Sequence, residues 1–363
     1  MKSKAAILNS RQSKRPIGSD KWIVNSINAA KYCIDKGLTI FSSIGISTYE
    51  VITYAAVKYG GNLIIVLPPA IEYDTLIKNI STDFKLDKNN VGFFFPDDLR
   101  NEKKSDQLER DKYIISNSDL IIPVSINSEG NLQSLIKKSS RKHELVCDFK
   151  TDYPGYKRIL KVDYSKLRIQ DWSKREDWNY LTHWTRTCNT PWSNETKYDY
   201  YESILKSEAG YHHSALNTLC RVLDEKLLRA SSKHLHKGVN AVAFSELRPA
   251  DVVPLMKWRP RLVSMSFEPY GIAIEKDFAQ HIGIKRVLYG NPEMYDILKS
   301  DEKPFFHSMG EKGDWMPEKE HRYLGDLKLD DIPADKRKII VKFESEIQKV
   351  QSLTSSEVLP LFK

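Results

Sequence analysis

Five short apolar runs in the first third of the chain restrict its fold more than any other feature: Ala5–Asn9, Thr39–Ser43, Asn62–Leu67, Val91–Phe95 and Leu120–Val124. None contains a charge. A strand with one face in water alternates apolar and polar residues, because side chains alternate between faces. A strand that is apolar throughout is covered on both faces, as in a parallel sheet between helices. Helical spans lie between the runs. Lys21–Lys36 carries Ile23, Ile27, Ala30, Cys33 and Ile34 at helical spacing, and Tyr49–Lys58 and Glu109–Ser116 follow the same pattern. Residues 1–150 are therefore expected to form an α/β domain around a parallel sheet.

The pattern then changes. From Tyr153-Pro154-Gly155 to Trp178 the chain is polar with weak periodicity, and residues 151–178 are expected to be a linker. Residues 179–363 are expected to form an α+β domain. Its predicted strands are Val239–Phe244, Gly271–Ile274, Arg286–Tyr289 and His321–Leu324, with a helix at Asn217–Leu227. A terminal strand, helix and strand fall at Ile339–Phe343, Glu344–Leu353 and Val358–Leu361.

In a parallel α/β sheet, ligands bind beyond the carboxyl ends of the strands. The first strand ends in Asn9-Ser10-Arg11. The second ends in Ser42-Ser43-Ile44-Gly45-Ile46-Ser47-Thr48, just where a helix begins. A hydroxyl-rich loop at a helix start offers N–H groups to an anion. Gly45 lets backbone approach a phosphate, and Arg11 supplies a fork for one. With Arg110 at a third junction, the candidate nucleotide site is Ser10, Arg11, Ser43, Gly45, Ser47, Thr48 and Arg110. This ordered set, with Gly60-Gly61, Arg110-Asp111 and the loop Ser128-Glu129-Gly130-Asn131, resembles the DprA/LOG-type (SLOG) Rossmann-like domains over about 135 residues. The resemblance implies a nucleotide or nucleic-acid-derived ligand. The Gly-Gly-x-Gly-Thr-x-x-Glu loop of the phosphoribohydrolases in that superfamily is missing after Val124.

Late in the chain stands Asp314-Trp315-Met316-Pro317-Glu318-Lys319-Glu320-His321-Arg322. On an extended strand Glu318 and Glu320 face the same way. Two acids on one face are costly to bury unless a cation meets them, so this face points to water or serves a polar ligand. Upstream lie His183-Trp184-Thr185-Arg186 and Phe267-Glu268-Pro269-Tyr270-Gly271. A His strand, a Tyr strand and a late Glu strand, in that order, resemble the ADP-ribosyltransferase superfamily, and DarT-like and AbiGi-like phage-defence proteins within it. The resemblance implies NAD as substrate. Glu320, Glu318, His183 and Tyr270 are then the catalytic candidates, and His183, Thr185, Tyr270, Arg259 and Arg261 the NAD-binding ones.

Composition narrows the classes. The chain has 363 residues, 29% charged and 40% hydrophobic, which is globular rather than disordered. A net charge of +8 suits an anionic partner. Cys33, Cys147, Cys188 and Cys220 are widely separated, which argues against disulfides or a zinc site and for a cytoplasmic location. His212-His213 and His234-x-His236 have no carboxylate or cysteine at ligand spacing, so no metal is expected. No apolar run reaches the roughly 18 residues of a membrane span. The functional expectation is an anti-phage defence-type protein with a sensing domain and an NAD-using effector. A protein or nucleic-acid acceptor and self-association are compatible with it. The alternatives are a DprA-like single-stranded DNA binder and a non-enzymatic interaction protein with a degraded transferase fold.

Overall fold

The computed structural model describes residues 3–67, 72–95, 105–139, 143–155, 162–208, 210–232, 235–236, 238–260, 263–309 and 318–363. The chain forms two compact units. The first holds residues 1–160 and 189–212; the second holds 161–188 and 213–363. The chain thus passes between them three times rather than at one seam.

The first unit is built on a six-stranded sheet of β1 (Lys4–Asn9), β2 (Thr39–Ser43), β3 (Asn62–Val66), β4 (Val91–Phe94), β5 (Leu120–Ser125) and β6 (Glu144–Leu145). The order is β4-β3-β2-β1-β5-β6, and every pairing is parallel. The apolar runs explain this. β5 is buried at all six positions and β1 at five of six, as a sheet covered on both faces requires. The connecting helices are α1 (Lys21–Asp35), α2 (Ser47–Lys58), α3 (Tyr73–Phe84), α4 (Ser105–Ser116) and α5 (Asn131–Ser139). A sixth, α6 (Lys197–Lys206), returns late in the chain to pack on α2 and α3. The unit is Rossmann-like, with strand order reversing between β1 and β5. There Pro123 sits opposite Leu8, and the register slips so that Asn9 meets Ser125. A proline has no N–H for the ladder, and beyond the slip the pairing resumes at Asn9 and Ser125, the last residues of the two strands.

The second unit contains a seven-stranded sheet: β7 (Tyr180–Trp184), β8 (Ala241–Ser245), β9 (Gly271–Glu275), β10 (Lys285–Arg286), β11 (Glu320–Leu324), β12 (Arg337–Val341) and β13 (Glu357–Pro360). The order is β10-β11-β8-β7-β9-β12-β13, antiparallel except for β12 with β13. One face carries Leu181, Val242, Phe244, Ile272, Ile274 and Ile339 into a core shared with α7 (Ala215–Glu225). The other buries Trp184, Ala273 and Ile340 against Val252, Met256 and Phe362.

Most of the stretch expected to be a linker belongs to this unit. Trp172 donates its indole N–H to Pro360 O at 2.8 Å, Gln170 N–H reaches Leu361 O at 2.9 Å, and Tyr164 stacks on Phe362. Its aromatic residues find a core that polar periodicity alone does not reveal. The strand expected over Arg286–Tyr289 is broken at Val287 into β10 and the short strand Leu288–Gly290, which pairs with Phe306–Ser308. Among the described residues no helix is long and apolar enough to cross a membrane.

Candidate functional sites

In the first unit, the reversal point gathers Ser10, Gln12, Ser125 and Asn127. Ser10 N–H donates to Ser125 O at 2.8 Å, and its hydroxyl oxygen accepts the Asn127 N–H at 2.9 Å. Buried Gln12 donates to the Ser125 hydroxyl at 3.0 Å. Arg11 is exposed, and its guanidinium lies 3.4 Å from Gln107 Oε1 on α4. α4 also presents Arg110, buried over the Tyr49 ring with 4.7 Å to its centroid. Asp111 Oδ1 receives Arg110 Nη2 at 2.8 Å, Arg110 Nε at 3.1 Å and the Tyr49 hydroxyl at 2.9 Å. The candidates Ser10, Arg11 and Arg110 therefore all lie at or near the carboxyl ends of β1 and β2.

The loop after β2 differs from the expected anion cradle. Gly45 has φ 82°, as a glycine turn demands, but its N–H donates to Glu50 Oε1 at 3.1 Å. That carboxylate also receives Lys197 Nζ at 2.6 Å and the Tyr201 hydroxyl at 2.8 Å. The Ser43 hydroxyl is committed to Val66 O at 2.7 Å, and Thr48 is buried. A side-chain carboxylate thus occupies the Gly45 amide, and Ser43 and Thr48 are structural. Ser47, half-buried, starts α2. Glu50 had a visible signal in the Ser-x-x-Glu spacing of Ser47 to Glu50, a helix-start signature. Gln12, Ser125 and Asn127 had none, because their meeting depends on which strands pair.

In the second unit the carboxylates meet their cations. Glu320 opens β11, and Arg322, only 2% exposed, donates Nε to Glu320 Oε1 at 2.8 Å and Nη2 to Oε2 at 3.3 Å. Arg322 Nη1 also reaches Pro304 O at 3.1 Å and Phe306 O at 3.0 Å. His307 Nδ1 lies 3.4 Å from Glu320 Oε2 and 3.1 Å from Arg322 Nη2. Glu318 is tied to the sheet through its carbonyl, which accepts the Ser245 hydroxyl at 2.7 Å.

The two carboxyls are driven apart. For Glu318, burial comes first and the Glu320 charge adds to it; Arg259, Arg186 and His307 oppose, and the net direction is up. For Glu320, burial also works against the charge, but bonds from His307 and Arg322 outweigh it and the net direction is down. Neighbouring carboxyls with opposite shifts suit a division of chemical roles.

The other candidates stand elsewhere. Register places Glu320 opposite Ser245 and Ser245 opposite Thr182. His183, the next residue, therefore faces the other side, with its ring 5.9 Å from Phe244 and its Nδ1 bound to Ala243 O at 2.9 Å. Burial pushes its imidazole down to about 4. The Tyr270 ring lies in the core on that same side, and its hydroxyl donates to Glu346 at 2.9 Å. Thr185 spends its hydroxyl on Ala215 O and Tyr270 O. The expected cleft of His183, Tyr270 and Glu320 is thus not assembled, because strand alternation and pairing turn the His and Tyr away from the Glu pair. Arg259 is exposed, while Arg261 and Asp314 to Pro317 lie outside the described residues. His307 was missed, since it joins the site only through the pairing of Phe306–Ser308 with Leu288–Gly290. Among the described residues no cluster of three or more His, Cys, Asp or Glu could hold a metal ion.

No family model matches the chain, and no curated protein does. Solved structures give partial likenesses. DNA processing protein A from Helicobacter pylori, described for its single-stranded DNA binding mode, is 18% identical over 41% of this chain and 68% of its own, with a TM-score of 0.30. DprA from Streptococcus pneumoniae is 11% identical over 40% and 49%, TM-score 0.30. The Moco carrier protein of Chlamydomonas is 10% identical over 42% and 78%, TM-score 0.28. At these scores no activity follows from the likeness.

Proposed function

We propose that the second unit is an ADP-ribosyltransferase-like enzyme that cleaves NAD at the Glu318/Glu320 pair. The supporting observation is that pair itself, two half-buried carboxyls with opposite shifts, Glu320 bonded by Arg322 with His307 beside it and Glu318 raised by burial and by the Glu320 charge against Arg259 and Arg186. In the reaction the bond from ribose C1′ to the nicotinamide nitrogen breaks. Its electron pair leaves with nicotinamide, which departs neutral. The ribosyl carbon becomes an oxocarbenium ion, and an acceptor oxygen or nitrogen bonds to it. Glu320, kept ionised by Arg322 and His307, stabilises that cation electrostatically. Glu318, with its higher pKa, takes the proton the acceptor loses, as a general base titrating closer to neutrality does best. Arg186 and Arg259 supply positive charge for the pyrophosphate. His183 and Tyr270 are excluded from this site by their side of the sheet.

The test is release of labelled nicotinamide, with and without DNA, RNA and protein acceptors. Glu320→Gln keeps size and removes charge, and should cut turnover by about a hundredfold or more, as losing an electrostatic stabiliser does. Full activity in both Glu320→Gln and Glu318→Gln refutes the reading.

For the first unit we propose a SLOG-like role, binding of a nucleotide or single-stranded nucleic acid at the ends of β1 and β5. The reversal of strand order there supports it. Because Glu50 occupies the Gly45 amide, the phosphate contacts fall to Arg11 and Ser10. Arg11→Ala should weaken binding of a labelled oligonucleotide or nucleotide about tenfold, the scale of one charge-assisted contact. Unchanged affinity rejects the assignment.

A further inference from the structure

The backbone of Glu320 is met by a side chain that sequence order did not single out. β10 ends at Arg286, and Val287 N–H still donates to Glu320 O at 2.9 Å. The Glu320 N–H donates to the hydroxyl oxygen of Tyr289 at 3.3 Å. Tyr289 lies on the short strand Leu288–Gly290, where it pairs with His307, the two rings 5.8 Å apart. His307 Nδ1 in turn lies 3.4 Å from Glu320 Oε2 and 3.1 Å from Arg322 Nη2. A hydrogen bond and a ring contact thus both place Tyr289 at Glu320.

Hydrogen accounting then separates two uses of this hydroxyl. A phenol oxygen accepts a hydrogen bond and donates one. Here it accepts from an amide, and an amide N–H offers nothing to the phenol hydrogen. Among the described residues no acceptor takes that hydrogen. The ring is half-buried, and burial, foremost among the causes, holds the phenol above its usual range, so the hydrogen stays on at neutral pH. Capping the Glu320 amide needs an acceptor only and leaves this donor unexplained. Glu320 supplies the complement. An ionised carboxylate only accepts. Arg322 binds each of its oxygens once and His307 approaches Oε2, which leaves a lone pair on Oε1. A carbonyl would satisfy the donor alone, and an ammonium the acceptor alone. A hydroxyl satisfies both, accepting from Tyr289 and donating to Glu320.

We propose that Tyr289 is a specificity-determining residue that touches the ligand: with Glu320 it grips the sugar hydroxyl next to the reacting carbon, so that the site takes ribosides and disfavours their 2′-deoxy analogues. The proposal rests on reading Glu320 as the residue that stabilises C1′, which makes the 2′-hydroxyl the nearest one.

The full chain and its Tyr289→Phe variant are assayed for nicotinamide release from NAD and from NAD lacking the 2′-hydroxyl of the nicotinamide ribose. The quantity compared is the ratio of the two kcat/KM values within each protein, because the intrinsic reactivity of the deoxy sugar then cancels between proteins. The wild-type preference for the hydroxylated substrate should exceed that of Tyr289→Phe by about tenfold, the scale of one hydrogen bond to a substrate hydroxyl. Equal ratios overturn the proposal. A hydroxyl that merely caps the Glu320 amide would lower the unfolding temperature and slow both substrates alike. If Tyr289→Phe does not fold, 3-fluorotyrosine placed at Tyr289 keeps the hydroxyl and reports by fluorine-19 resonance. Its signal should move on adding NAD and move less with the deoxy analogue, and equal movement overturns the proposal. A wild type that releases no nicotinamide from NAD removes the proposed function and this proposal with it. Release with equal ratios removes this proposal alone.

Discussion

Replacing Arg322 by methionine should be among the most damaging single changes in the second unit. Arg322 is 2% exposed and spans Glu320, the carbonyls of Pro304 and Phe306, and the His307 ring. Methionine fills much of the volume but leaves Glu320 buried without its main cation, with Glu318 alongside. Removing one partner of a buried pair costs about 3–5 kcal/mol, mostly the uncompensated charge. Charge then predicts the pH dependence. In the wild type Glu320 titrates below the ordinary 4.5, so its contribution is present above that value and lost as pH falls through the depressed one. In Arg322→Met, His307 stays beside Glu320 but burial loses its main opponent, so Glu320 should titrate higher than in the wild type and acid should relieve part of the loss. Urea unfolding at pH 7 and pH 5 should therefore show the gap to wild type narrowing by about 1–2 kcal/mol at the lower pH. Glu320→Gln added to Arg322→Met should recover a large part of the loss at pH 7. A gap under about 1 kcal/mol, or one that neither pH nor the second substitution reduces, refutes the reasoning.

Two further outcomes follow from the sheet. His183 titrates near 4 when folded against 6.5 for the free side chain, so its contribution is complete above 6.5 and lost as pH falls toward 4. After allowance for solvent screening this limb is on the order of 1–3 kcal/mol, and His183→Gln should flatten it in urea unfolding at graded pH; an unchanged limb rejects the assignment. A Cβ at Gly271 would lie 2.7 Å from His183 O, so Gly271→Ala must disturb the β7–β9 pairing, at roughly 1–3 kcal/mol in thermal unfolding. Gly45→Ala meets nothing within 4 Å and bears only the cost of its positive φ, about 1 kcal/mol; equal losses in the two variants contradict this packing.

The first unit was legible because its strands carry their environment in their composition. Ala5–Asn9 and Leu120–Val124 are apolar at nearly every position, which only a doubly covered sheet explains. The helix Tyr73–Phe84 escaped notice because only Ile80 and Phe84 are buried in it. The return of residues 189–212 was invisible because its packing partners, α2 and α3, are more than a hundred residues away in sequence. In the second unit the expectation that Glu318 and Glu320 share one strand face fails, because β11 begins only at Glu320 and Lys319 between them has φ 44°; what the sequence did carry was the need for a cation, which Arg322 meets at Glu320. The partners themselves were not legible. Arg322 is close in sequence, but His307 and Arg186 come from other elements. The side on which His183 falls is fixed by pairing through β8, so order along the chain could not place it.

The most direct test of the central claim is the pH dependence of nicotinamide release from NAD. If Glu318 is the base and Glu320 the ionised stabiliser, activity should fall as pH drops through the raised pKa of Glu318, with an acid limb above that of an ordinary glutamate. Glu318→Gln should lower the rate and abolish this limb, and Arg186→Gln should move it upward. His183→Ala should leave its position unchanged. An acid limb that survives Glu318→Gln, or one that vanishes with His183→Ala instead, would contradict the account.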